Sequence, residues 1–145
     1  LFRDKIDEIM EQVKCPVAVF VNRQYREGTT VSFVLGGMID LFLFSYLDKM
    51  LQNGHSVRLF LFDTDDEEFR GRIDDLQVRY PEQTMIVWFE GVEDLVTEEK
   101  DGLLIMSHLS YTKLSEDEAV MRELSSLLVI RRNKNTGDKN EGLEN

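Results

Sequence analysis

The densest group of chemically capable side chains is the stretch MSHLSYT, residues 106–112, which places Ser107, His108, Ser110, Tyr111 and Thr112 directly after an apolar run. Hydroxyls and an imidazole gathered in this way can exchange hydrogen bonds with a small polar ligand. A second candidate is the pair Gly36-Gly37, which joins the apolar run VSFVL to a strongly apolar helix. Glycines at such a junction can present backbone N–H groups to an anion. The pair is not G-x-G-x-x-G, however, and no Lys-Ser/Thr follows it, so a tight turn from strand to helix is the preferred reading. In an open α/β sheet, ligands lie at the carboxyl ends of strands where the strand order reverses. Gly36, Gly37, Ser107, His108 and Ser110 would all sit there and form the possible ligand crevice. The competing reading makes the serines helix caps, as Ser115 with Glu118 could be in a capping box, and it is preferred.

Metal and catalytic chemistry find less support. His55 and His108 are far apart and belong to no Cys/His cluster, so no zinc site is indicated. DTDDEE, residues 63–68, is dense in carboxylates, but it lacks the glycine and closing Glu of a calcium loop. Acidic residues at a helix start, with Asp63 or Thr64 as cap, explain it better. No Ser/His/Asp or Cys/His arrangement is visible, and no carboxylate pair stands out for acid-base work. The expectation is a non-enzyme with no cofactor and no metal. Cys15 is the single cysteine, read as packing at the core edge in a reducing compartment.

Composition sets outer limits. The chain of 145 residues suits one domain, and 42% hydrophobic residues suffice for a core. Lys and Arg total 17 against 28 Asp and Glu, a formal net charge of -11. That balance repels phosphate backbones and anionic lipid, so nucleic acid is not an expected partner. The richest apolar stretch is broken by Asp40 and Asp48, which excludes direct membrane insertion there. The chain opens at Leu1 without a Met, in helical pattern, as a piece of a longer chain would.

The elements that must position these residues follow from hydrophobic period. FRDKIDEIMEQVK, residues 2–14, is amphipathic at helical spacing, and Pro16 ends it. PVAVFV then reads as a strand covered on both faces, followed by a polar loop over 22–29. The spacing next predicts strand 31–35, helix 39–52 closed by Asn53-Gly54, strand 57–62, and helix 65–79 stopped by Pro81. Strand 85–89, an acidic segment 92–100, strand 103–106, a helix around 116–124 and strand 127–130 complete the series. Strands alternating with helices, each strand nearly all apolar, give the class as α/β with a parallel sheet. Residues 133–145 hold one apolar residue and are expected to be disordered.

Helix 39–52 carries apolar residues on two flanks. Ile39, Phe42, Leu43, Tyr46, Leu47 and Met50 would face the sheet, and Leu41, Phe44 and Leu51 would form a second, docking face. Asp40, Ser45, Asp48, Lys49 and Gln52 would be left for water. Trp88 and Phe89 are expected in the core.

In this order the pieces KCPVAVFVNRQY, a strand ending in Gly-Gly, HSVRLFLFD, DGLLIMSHLSYTKL and SSLLVIRR resemble the cytosolic C-terminal region of monovalent cation/proton antiporters. That region is built from two universal-stress-protein-like halves. Cys15, Val17, Asn22 and Arg23 match the closing strand of the first half, Gly36 and Gly37 the opening strand of the second, and residues 127–130 its final strand. The resemblance implies that residues 1–23 are the last helix and strand of a preceding half. Residues 30–132 would be a five-stranded parallel unit of the universal-stress-protein-like (adenine nucleotide alpha hydrolase-like) kind, with helices on both faces.

The implied role is a non-catalytic regulatory or assembly domain on the cytoplasmic side of the cell membrane, acting as a homodimer and through the transport domain of the same parent chain. The alternative is a small-ligand, nucleotide-sensing domain of the universal stress class. Leu35-Gly36 and MSHLSYTKLSEDE stand where nucleotide-binding members carry an Asp and a glycine loop, so ATP is not expected in their manner. By analogy with units that associate through their last strands, residues 16–21 should pair antiparallel with the terminal strand at one edge.

Overall fold

The computed structural model describes residues 2–132 other than 63 and 98, with side chains described from Lys5 onward. The tail expected over 133–145 lies outside the described residues.

Helix α1, Phe2–Gln12, leads to strand β1, Val17–Val21. Strand β2, Val31–Leu35, runs into a 3-10 turn, Met38–Leu43, which continues as helix α2, Phe44–Gln52. Strand β3, Val57–Phe62, helix α3, Glu67–Arg79, and strand β4, Thr84–Phe89, follow. A short 3-10 turn, Val92–Leu95, precedes strand β5, Leu103–Ser107. Two short helices, α4 over His108–Leu114 and α5 over Glu118–Met121, lead to strand β6, Ser126–Arg131.

The strands form one sheet in the order β1-β6-β5-β2-β3-β4. Strands β2 to β6 are parallel, and β1 alone runs antiparallel against β6, with Val19 opposite Val129. The edge position and direction of β1 are those expected by analogy with units that associate through their last strands. Because the chain winds outward from β2 in both directions, its connections fall on opposite faces. One face packs Leu43, Leu47 and Leu51 of α2 and Phe69, Ile73 and Leu76 of α3 on Phe33, Leu59 and Leu61. The other packs Ile6 and Met10 of α1, Tyr111 of α4 and Met121 of α5 on Val34, Leu104, Met106 and Val129.

Several expectations fail for identifiable reasons. Strand β1 is covered on one face only: Val17 and Val19 pack on the core while Phe20 is 48% exposed and meets Tyr25 edge-on. Trp88 is 42% exposed, not core, since β4 is an edge strand, and the Arg70 guanidinium covers its ring. Phe89 is buried as expected. Cys15 is exposed in the connection between α1 and β1, so it packs no core. The cap of α3 is Asp66, whose carboxylate accepts from the N–H groups of Glu68 and Phe69, in place of Asp63 or Thr64. Ser115 closes α4 instead of opening a capping box, and Asp117 caps α5.

The two terminal strands are clasped by arginines. Arg131, at the end of β6, donates to the carbonyl oxygen of Met10 in the last turn of α1 and to those of Val13 and Cys15 in the connection that follows it. Arg23, just after β1, donates to the carbonyls of Met121 at 2.6 Å and Leu124 at 3.1 Å, where α5 ends. Its own N–H reaches Ser126 Oγ at 2.7 Å. Partial burial lowers the Arg23 pKa from its ordinary value, opposed by Tyr111, and the guanidinium remains charged.

Candidate functional site

The strand order reverses between β2 and β5, and the carboxyl ends of these two strands define the site. Strand β2 ends at Leu35, and Gly36-Gly37 carries the chain into the 3-10 turn, with Gly37 at φ 137°, a conformation few residues other than glycine adopt. Strand β5 ends at Ser107, whose hydroxyl caps α4 by accepting from Ser110 N–H at 3.1 Å. The preferred reading of both motifs, turn and cap, is what these positions show.

The two strand ends are bridged by a residue that sequence reasoning placed in solvent. Asp40 is fully buried. Its Oδ2 accepts from Gly36 N–H at 2.6 Å and from the Ser110 hydroxyl at 2.8 Å. Gly36 itself is exposed, and a Cβ there would lie 3.1 Å from Ser110 Oγ and 3.2 Å from Asp40 Oδ2. The absent side chain thus leaves room for the carboxylate. Asp40 Oδ1 is buried with no hydrogen-bond partner.

The structure therefore brings together Gly36, Gly37, Ser107 and Ser110, and adds Asp40. It does not bring His108 into this group, because His108 Nε2 contacts Asp7 Oδ1 of α1 at 2.8 Å, tying α4 to the N-terminal helix. Asp40 escaped detection because residues 39–52 do not form one α-helix. The first turns are 3-10, which advance by about 120° per residue instead of 100°, so the helical wheel is out of phase before Phe44.

The expected docking face is not open either: the 3-10 turn carries Leu41 inward, and Leu51 lies four residues after Leu47 on the side of α2 that meets the sheet. Leu41 and Leu51 are 4% and 1% exposed, and Phe44 is half-buried, so the three do not form an open flank. The exposed apolar residues of this segment are Ile39 and Tyr46.

A concavity of about 820 Å³ lies at the opposite, amino-terminal ends of β2 and β3, lined by Tyr25, Thr30, His55, Arg58 and Gln83 among others. His55 is exposed there, as expected. Nearby, Glu99 fixes the β4 to β5 connection by accepting from Thr30 Oγ1 at 2.6 Å and Arg58 at 2.8 Å. These bonds, the Thr30 hydroxyl first, hold the Glu99 carboxyl below the usual carboxylate range.

Among the described residues no group of 3 or more His, Cys, Asp or Glu side chains could hold a metal ion. Among the same residues no helix is long and apolar enough to cross a membrane. Comparison with protein-family models, curated proteins and solved structures returns no match.

Proposed function

We propose that the chain is a universal-stress-protein-like regulatory or assembly domain of a monovalent cation/proton antiporter, on the cytoplasmic side of the membrane. In this reading it is non-catalytic and acts by contact with the transport domain of its parent chain and by dimerisation.

The observation that supports it is the reciprocal clasp. Two helix-strand-arginine units, α1-β1-Arg23 and α5-β6-Arg131, lie antiparallel, and the arginine of each caps the helix of the other. Equivalent roles for the two units are what two homologous halves would produce if each ended in a helix and strand and they joined through their last strands. The five parallel strands β2 to β6 would then make up one complete half.

An antibody raised against residues 16–132 tests the reading in source cells. The native polypeptide should sediment with membranes, resist salt and carbonate washes, and be released by detergent. A soluble polypeptide no larger than this chain would overturn it.

The alternative, a nucleotide sensor, draws on the convergence of Gly36, Ser107 and Ser110 at the switch point. It is weakened by the carboxylate at the centre of that group, which opposes phosphate. Thermal stabilisation of the domain by ATP or a cyclic dinucleotide would favour this alternative.

A further inference from the structure

Asp40 presents an electrostatic problem. A carboxylate removed from water is expensive unless a cation or a full set of hydrogen bonds replaces its hydration. Here Oδ2 has two donors, Gly36 N–H and Ser110 Oγ, while Oδ1 has none. Both donors are uncharged, and no ion pair among the described residues involves Asp40. The nearest imidazole in sequence to this group, His108, is committed to Asp7.

We propose that Asp40 binds a small monovalent metal cation at the carboxyl ends of β2 and β5. One positive charge balances the one carboxylate. A divalent ion would need more anionic ligands than this site has: no group of 3 His, Cys, Asp or Glu side chains that could hold a metal occurs among the described residues. The surroundings supply oxygen, which suits a hard cation: the orphaned Asp40 Oδ1 and the hydroxyls of Ser110 and Ser107, both buried. Gly36 lies at an exposed backbone position over the group, and the place its missing Cβ would take is 3.1 Å from Ser110 Oγ and 3.2 Å from Asp40 Oδ2, so oxygens line it. The site also lies where open α/β sheets take their ligands. This inference rests on Asp40 and its neighbours alone and stands or falls independently of the antiporter reading.

The test is thermal unfolding of the chain in NaCl, KCl and choline chloride at equal ionic strength. The choline arm is essential, because a chain of net charge -11 gains from any salt by screening. The expected result is a saturable rise in Tm with Na⁺ or K⁺ over choline, since a ligand of the folded state alone stabilises it. Asp40→Asn keeps an acceptor for Gly36 and Ser110, removes the charge, and should abolish the difference. Equal responses to all three salts, or a cation effect that survives in Asp40→Asn, would overturn the proposal. Should Asp40→Asn fail to fold, Ser110→Ala decides: the half-saturating cation concentration should rise several-fold, and an unchanged value contradicts the site.

Discussion

Arg23 and Arg131 stand in a reciprocal relation: each lies at or just after the end of one of the two antiparallel terminal strands and binds carbonyls at the end of the helix that precedes the other. Neither strand is docked by its ladder alone. The guanidinium groups donate to carbonyls at and just beyond the ends of helices α1 and α5, so each helix end is tied to a residue about a hundred positions away.

Replacing Arg131 with Ala should therefore loosen α1 and β1 together. Loss of a charge-assisted bond set facing part-buried carbonyls is expected to cost about 2–3 kcal/mol. Denaturant unfolding measures the loss, and hydrogen exchange should show it concentrated in residues 5–21. Arg131→Lys should recover little, because one ammonium cannot span three carbonyls as a planar fork does.

Two glycines should respond to Ala with opposite signs. Gly102 is buried, and a Cβ there would lie 2.8 Å from the Thr30 carbonyl oxygen, so Gly102→Ala should destabilise by about 1–3 kcal/mol. Gly71 sits exposed inside α3 with nothing near its missing Cβ, so Gly71→Ala should stabilise by roughly 0.5–1 kcal/mol. Equal signs in equilibrium unfolding would contradict the packing described for the β4 to β5 connection.

Glu99 sets a pH dependence. Its folded pKa is depressed by Thr30 and Arg58, so its contribution is present above the unfolded value of about 4.3 and is lost as pH falls through the folded one. Glu99→Gln should flatten the acid limb of a stability-pH curve below pH ~4.3 and leave its slope at neutral pH unchanged. The effect should be small, because the Glu99 side chain is 47% exposed and its ion pair with Arg58 is screened. A flattening that occurs near neutral pH instead would show that another group is responsible.

The sheet could be read from the sequence because its strands carry their own signal. VSFVL, VRLFLF and SLLVIR are near-continuous apolar runs of the right length, and Gly54 and Pro81 mark helix ends where periodicity stops. Even the antiparallel edge pairing of β1 was accessible by analogy. What could not be read were features that depend on where the chain changes helix type or where an element lies in the sheet. Asp40 and Leu41 turn inward because a 3-10 turn rotates them there, and an apolar run such as VAVFV does not disclose that only one of its faces has a helix to meet. Trp88 lies outward for the same reason of place, at an edge the sequence does not mark.

Within the candidate site, Gly36, Ser107 and Ser110 were identifiable as glycine and hydroxyls at strand ends, while their link through Asp40 was not. A buried carboxylate four residues after a strand-ending glycine has no sequence signature that separates it from a solvated helix start.

The most direct test of the central claim is exchange measured on the native, full-length protein in membrane vesicles, with a pH-sensitive dye reporting proton movement when NaCl or KCl is added. The account predicts that either salt dissipates the proton gradient, that a protein truncated before this domain still exchanges, and that its rate or cation dependence is altered. Vesicles that show no cation-driven proton movement would contradict the account, as would truncation that leaves every rate unchanged.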